Sequence, residues 1–164
     1  MPSKAGPLVV DTTTLSNFAR ISRPDLLRTA LGSQGVLTEM VRAELRSGEA
    51  SGLIPIHDWD WLPELELSPS EVRLFAALAE IVDYGEASCL AIAISQGAIV
   101  VTDDFQARRL ARKEGVQVTG TLGILRLLIE SRELTVEEAN ELLTQMIASG
   151  YYSPVEDIRQ ILSS

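Results

Sequence analysis

Three consecutive β-branched residues, Ile99-Val100-Val101, run into Thr102-Asp103-Asp104, and Phe105–Lys113 then follows with the apolar spacing of a helix. A short, wholly apolar run of this kind reads as a strand buried on both faces. Such strands belong to parallel sheets covered by helices. In an open α/β sheet, sites form in the crevice beyond the carboxyl ends of the strands. The unit strand, acidic turn, helix therefore constrains both the fold and the place to look for function. Leu8-Val9-Val10-Asp11 opens a second unit of the same form. Two adjacent carboxylates at such a turn repel each other, and a bound cation is the usual reason for keeping them.

The rest of the chain alternates in the same way. Leu15–Ile21 is predicted as a short helix closed by Arg23-Pro24, with a hydroxyl of Thr12, Thr13 or Thr14 as its N-cap. Asp25–Leu31 is a second helical run, and Val36-Leu37 a strand. Thr38 caps a helix over Glu39–Arg46, ended by Gly48. Ile54 and Ile56, with Pro55 between them, suit a sheet edge. Ser70 opens a helix with Val72, Leu74, Phe75, Leu78 and Ile81 on its apolar side. Glu86–Gln96 is rich in small residues and apolar nearly all round, the mark of a buried helix. Val116–Val118 reads as a strand, Leu122–Ser131 as an apolar helix, and Thr135 as the cap of a helix running to Ile147. Ser153-Pro154 opens a last short helix to Leu162. The alternation predicts an α/β fold with a mostly parallel sheet.

A chain of 164 residues is long enough for one compact domain, and with aromatics at 5% its core must be mostly aliphatic. No apolar run approaches the roughly 20 residues of a membrane span. No secretory leader opens the chain, which predicts a cytoplasmic protein. Cys89, the single cysteine, fits a reducing compartment and reads as packing. The net charge of −9 runs against nucleic-acid binding, where phosphates dominate affinity. It is compatible with that binding only if some acids are site ligands neutralised by a divalent metal. A basic partner segment covering the acidic face is the other way to offset it.

Several acids fall at element ends or beside glycine turns: Asp11, Asp103, Asp104, Glu86 after Gly85, and Glu44 near the apolar side of its helix. At roughly 4 Å and an effective dielectric near 20, each like-charge pair costs about 4 kcal/mol. A cluster of them stays ionised only with a cation, or it takes up protons. All-oxygen ligation suits Mg²⁺ or Mn²⁺. Arg108, Arg109, Arg112 and Lys113 form a basic stripe beside the acids. Asp103 also reads as a simple N-cap of the following helix. A phosphoaspartate enzyme is disfavoured, because Thr13 stands where a dehalogenase-like phosphatase has its second aspartate. A receiver domain is disfavoured because Val116–Val118 offers no lysine.

Taken together, VVDTTTLSNF, VLTEMVRAELRSG, YGEASCLAIAISQGAIVVTDDFQARRLA and VTGTLGIL resemble, in order, the PIN domain, the VapC-like ribonuclease fold of many prokaryotic toxins. The resemblance spans most of residues 8–130, and the GEA and GTLG elements are closest to the subgroup with a helical C-terminal extension. It implies a three-layer fold with a core over about 7–130 and an extension over about 131–164, in a single domain over 1–164. It implies catalytic acids at Asp11, Glu44, Glu86 and Asp104, with glutamate at 86 where many relatives have aspartate. Metal ligation falls on Asp11, Glu86 and Asp104, with Asp103 an extra acid and alternative ligand. Substrate contacts fall on Thr13 (or Thr12 as the neighbouring hydroxyl), Arg108, Arg109 and Arg112. The implied activity is Mg²⁺- or Mn²⁺-dependent endoribonuclease cleavage of RNA by the toxin of a type II toxin–antitoxin pair, leaving 5′-phosphate and 3′-hydroxyl ends. A carboxylate, Glu44 or Glu86, orients or deprotonates the attacking water. The implied partners are RNA, a cognate antitoxin and a second copy, the last through the apolar first helices and Leu122–Ile129; no membrane is involved. The alternative is a catalytically inactive PIN-like binding module acting through a protein partner.

Overall fold

The computed structural model describes residues 6–162. Five short strands, β1 (Leu8–Val10), β2 (Gly35–Thr38), β3 (Glu64–Leu65), β4 (Ile99–Val101) and β5 (Val118–Thr119), form one all-parallel sheet in the order β3-β2-β1-β4-β5. Between and after them run α1 (Thr12–Arg20), α2 (Pro24–Leu31), α3 (Glu39–Ala50), α4 (Pro69–Leu78), α5 (Tyr84–Gln96), α6 (Phe105–Lys113), α7 (Thr121–Glu130), α8 (Val136–Ala148) and α9 (Arg159–Leu162). The chain winds outward from β1 to β3, then returns to place β4 on the other side of β1. The winding reverses between β1 and β4, and a crevice opens at such a switch point beyond the strand ends. The register pairs Val10 with Val101, and the Asp11 N–H donates to Val101 O at 2.9 Å. The two acid-bearing strand exits are thereby level with each other.

The inner strands are what a double-sided apolar run requires: Val9, Val10, Val100 and Val101 are all buried. Helix α5 packs on α3, α4 and the three inner strands. Its Ala87–Ala93 segment is buried throughout, because small side chains let a helix approach a sheet closely. Helices α1, α2, α7 and α8 form a second packed group. Residues of α8, among them Leu142, Leu143 and Met146, join the same core cluster. The apolar faces of the first helices and of α7 are used inside the molecule, with Leu15, Phe18, Leu27, Leu125 and Leu128 fully buried and only Leu127 of α7 left exposed among its large hydrophobics.

Several expected boundaries move, each for a local reason. Helix α3 continues through Gly48 to Ala50, because that glycine is where Ile54 packs: a Cβ there would meet Ile54 Cγ1 at 2.9 Å. Ile54 is thus spent on the helix, Ile56 is exposed, and the sheet edge is β3 instead. Helix α4 starts at Pro69 behind Ser68, which forms a capping box with Glu71. The last strand and the α7 start also shift, to Val118–Thr119 and Thr121. The tail after Pro154 becomes helical only at Arg159. Ser153 Oγ donates to Val155 O and Asn140 Nδ2 donates to Asp157, while the Ile158 N–H donates to Asn140. Side-chain bonds of this type hold the backbone out of a helix. Trp59 is buried and Trp61 packs at the core's margin, as expected of core-edge residues. Among the described residues, no helix is long and apolar enough to cross a membrane.

Candidate functional site

Asp11 sits at the exit of β1 and is 2% exposed. It is the N-cap residue of α1 but makes no side-chain cap bond. Its Oδ2 instead accepts from Thr102 Oγ1 at 2.8 Å and Thr13 Oγ1 at 3.2 Å. Burial pushes its carboxyl up to about 7, against the lowering effect of Thr102 and the Thr12 N–H, with Glu44 and Asp83 adding to the rise. Glu86 lies in the first turn of α5 and is also buried. Burial first, then the charges of Asp11, Asp83 and Asp104, push it up to about 9. Both carboxyls therefore hold protons at or near neutral pH unless positive charge reaches them.

Glu44 projects from α3 toward the same crevice. Thr12 Oγ1 donates to its Oε1 at 2.7 Å, and the Gly85 N–H donates to its Oε2 at 3.0 Å. Burial and Asp83 raise its proton affinity. Gly85 must be glycine for this contact, since a Cβ there would collide with Glu44 Oε1 and lie 2.7 Å from Cδ. Asp104 caps α6 by accepting the Ala107 N–H at 2.8 Å, and its own N–H donates to Thr102 Oγ1 at 3.1 Å. The cap expected at Asp103 thus falls one residue later. Coming from β1, α3, α5 and the β4 exit, the four acids act on one another through their charges, Glu44 on Asp11 and both Asp11 and Asp104 on Glu86.

One acid of this neighbourhood escaped the sequence reading. Asp83 caps α5, accepting the Glu86 N–H at 3.2 Å, and its charge acts on Asp11, Glu44 and Glu86. Its signal was there, an acid before Tyr-Gly-Glu at the mouth of a buried helix. Thr102, the threonine of the Thr102–Asp104 turn, is fully buried and binds Asp11 while receiving the Asp104 N–H.

Asp103 behaves differently. Its Oδ2 accepts from Thr14 Oγ1 and Asn17 Nδ2, both at 3.0 Å, and from Thr121 Oγ1; its Oδ1 accepts the Thr121 N–H at 2.8 Å. Its backbone N–H donates to Thr13 Oγ1 at 2.9 Å. These bonds tie α1, the β4 exit and α7 together. Gly120 allows the approach, because a Cβ there would lie 2.8 Å from Thr102 O and collide with Asp103 Oδ1. Asp103 is occupied as a structural acceptor.

The basic stripe divides. Arg108 Nη1 donates to Thr102 O at 2.9 Å, and Arg108 lines a groove beside the acids together with Arg20. Arg109 is exposed. Arg112 lines a different groove, against Leu8 and Val116. Among the described residues, no lysine or arginine forms an ion pair with Asp11, Glu44, Glu86 or Asp104. Nor are three or more Asp, Glu, His or Cys side chains drawn into ligation distance; they face one another at Coulombic range, each tied to local donors. The donor set itself, all oxygen, acid-rich and without a cationic partner, fits a hard divalent ion.

Residues 7–164 match the family model described as a PIN domain (DUF3368). The chain belongs to the PIN-domain family. PIN domains are generally nucleases and typically depend on divalent metals. The crystal structure of PAE2754 from Pyrobaculum aerophilum is similar to this PIN domain, with a TM-score of 0.53 and 17% identity over 75% of this chain and 97% of that one. At that identity the likeness is one of fold. No curated protein matches the chain.

Proposed function

We propose that this PIN domain is an Mg²⁺- or Mn²⁺-dependent endoribonuclease, the toxin of a type II pair restrained in the cytoplasm by a cognate antitoxin. The observation that carries the reading is the meeting of Asp11, Glu44, Glu86 and Asp104, from four separate elements, at the switch point of the sheet without a cationic side chain among the described residues to offset them. When bound, a divalent ion supplies Lewis acidity toward a phosphate oxygen and makes water a stronger acid. Asp11, Glu86 and Asp104 would hold it, and Asp103 would not, because its lone pairs are already taken by α1 and α7. Thr102 and Thr13 orient Asp11 through their hydroxyls. Glu44, fixed between Thr12 and the Gly85 N–H, is the group that accepts a proton from the attacking water. Arg108 steadies a substrate phosphate with the part of its guanidinium not spent on Thr102. The net charge of −9 favours a basic antitoxin segment, and the lone, buried Cys89 is compatible with a reducing compartment.

The test is cleavage of single-stranded and structured RNA by the purified chain with Mg²⁺, with Mn²⁺ and with chelator, alongside Asp11→Asn and Asp104→Asn. Metal-dependent cleavage, lowered at least about a hundredfold in both folded variants, is the expected result. A wild-type chain that neither cleaves RNA nor gives a calorimetric signal with either metal would leave the inactive binding module as the reading.

A further inference from the structure

Next to the acids, and sharing Thr13, Asp104 and Arg108 with the site, lies a groove of about 920 Å³ whose aromatic lining the mechanism above does not use. Asp103, Asp104 and Arg108 line it together with Tyr151 and Tyr152 from the tail after α8. Two aromatic rings stand open in it: Phe105 is 76% exposed and Tyr152 is 95% exposed. Neither ring packs against another aromatic among the described residues. Phe105 directly follows Asp104, so one ring is anchored to the acid cluster by the chain itself.

Tyr152 is held in place by its neighbour. Tyr151 is buried, its N–H donates to Met146 O at 2.9 Å, and its hydroxyl faces Asp103 and Ser153. Gly150 makes the turn into this segment at a φ of +116°, which other residues rarely adopt. The backbone of the tail is therefore pinned while the Tyr152 ring is left in solvent. Arg20 and Arg108 add positive charge to the same groove.

We propose that this groove is a subsite for an unpaired nucleotide base, taken up by Phe105 and Tyr152, so that the substrate enters the site as single-stranded nucleic acid. The inference deepens the nuclease reading and rests on it. An unpaired base offers an apolar π-face for the two rings, and its flanking phosphates suit the two arginines. A duplex hides those faces in its stack. Asp103 and Asp104 line the groove together with the two arginines, so it is the pair of open rings, and not the groove's charge, that favours a base over a basic peptide.

The experiment is a binding titration in chelator, where cleavage does not intervene. The probe is a short single-stranded RNA carrying one fluorescent purine analogue, run against the same strand in a duplex and against a basic peptide. Wild-type protein is expected to quench the single strand. Phe105→Ala and Tyr152→Ala, both at exposed positions, should each weaken binding about tenfold and lose the quench. Phe105→Tyr and Tyr152→Phe should restore both. In the cleavage assay the alanine variants should raise KM and leave kcat close to wild type. Unchanged quench and affinity in the double alanine variant, equal binding of the duplex, or binding of the peptide and not the oligonucleotide would each overturn the subsite. Cleavage that persists without any dependence on the two rings would remove the subsite and leave the nuclease reading standing. A retained quench with no metal-dependent cleavage would do the reverse.

Discussion

On one side of the β1–β4 switch point, Asp103 is closed in by hydroxyl, amide and backbone donors from α1 and α7. On the other, Asp11 and Glu86 are buried where the charges of further acids reach them. The contrast shows what makes a buried carboxylate structural or functional. An acid whose lone pairs meet neutral donors is taken up in holding elements together. An acid surrounded by other acids must bind a proton or a cation, and a site that must choose between the two is one that can be switched by either.

The strongest way to break this contrast is to remove the acids one at a time. Asp103→Ala leaves Thr14, Asn17 and both Thr121 donors without their acceptor. Unsatisfied donors of this kind should lower stability by about 3–5 kcal/mol. Asp104→Asn keeps the α6 cap, since asparagine caps as well as aspartate, and should change stability by less than about 1 kcal/mol. Urea unfolding at neutral pH measures both, and equal losses would erase the distinction.

The next test uses pH. Because Asp11 is pushed up to about 7 and Glu86 to about 9, the protonated forms favour the folded state. Their contribution is fully present below about pH 4. It is lost as pH rises through about 7 for Asp11 and about 9 for Glu86. In chelator, thermal stability between pH 6 and 9 should therefore fall more steeply for wild type than for Asp11→Asn/Glu86→Gln. Divalent ion binding should release protons and tighten with rising pH. Parallel melting curves for the two proteins would argue that these acids are not strained.

Gly85→Ala separates rate from stability. The new Cβ would collide with the Glu44 carboxylate, so cleavage should slow about tenfold or more. Alanine is the better helix former by up to about 1 kcal/mol, so unfolding should show little loss. A variant that cleaves at the wild-type rate would show that the Gly85–Glu44 contact does not serve the reaction. The smallest expected effect is among the arginines. Arg108→Ala should raise KM a few-fold at low salt, roughly the loss of one phosphate contact, and Arg112→Ala less than about twofold. Equal effects would show that RNA also reaches the second groove.

Much of this molecule was legible along the chain. Ile99-Val100-Val101 and Leu8-Val9-Val10 announce buried parallel strands because a double-sided apolar run has few other uses. Ala87–Ala93 announces a buried helix because only small side chains suit close approach. Asp11, Glu86 and Asp104 stand out by their places at element ends and Glu44 by its place near the apolar side of its helix, and the family's order of motifs links the four. Gly48 misled because a glycine that ends a helix and a glycine that admits a neighbour look alike in one dimension. Ser153-Pro154 misled because Asn140, which holds that tail, lies in another element.

What the amino-acid order determined by itself was the alternation of strand and helix and the presence of acids where strands end, since periodicity and β-branching act over a few residues. Only the tertiary structure decided that Asp103 is an acceptor for Thr14, Asn17 and Thr121 and that Asp83 joins the acid cluster. It also decided that Arg112 lines a separate groove and that Tyr152 lines the same groove as Phe105. Those outcomes depend on which donors, charges and rings meet across the fold, and the free energy of a buried carboxylate is set by exactly such neighbours, however far away in the chain they begin.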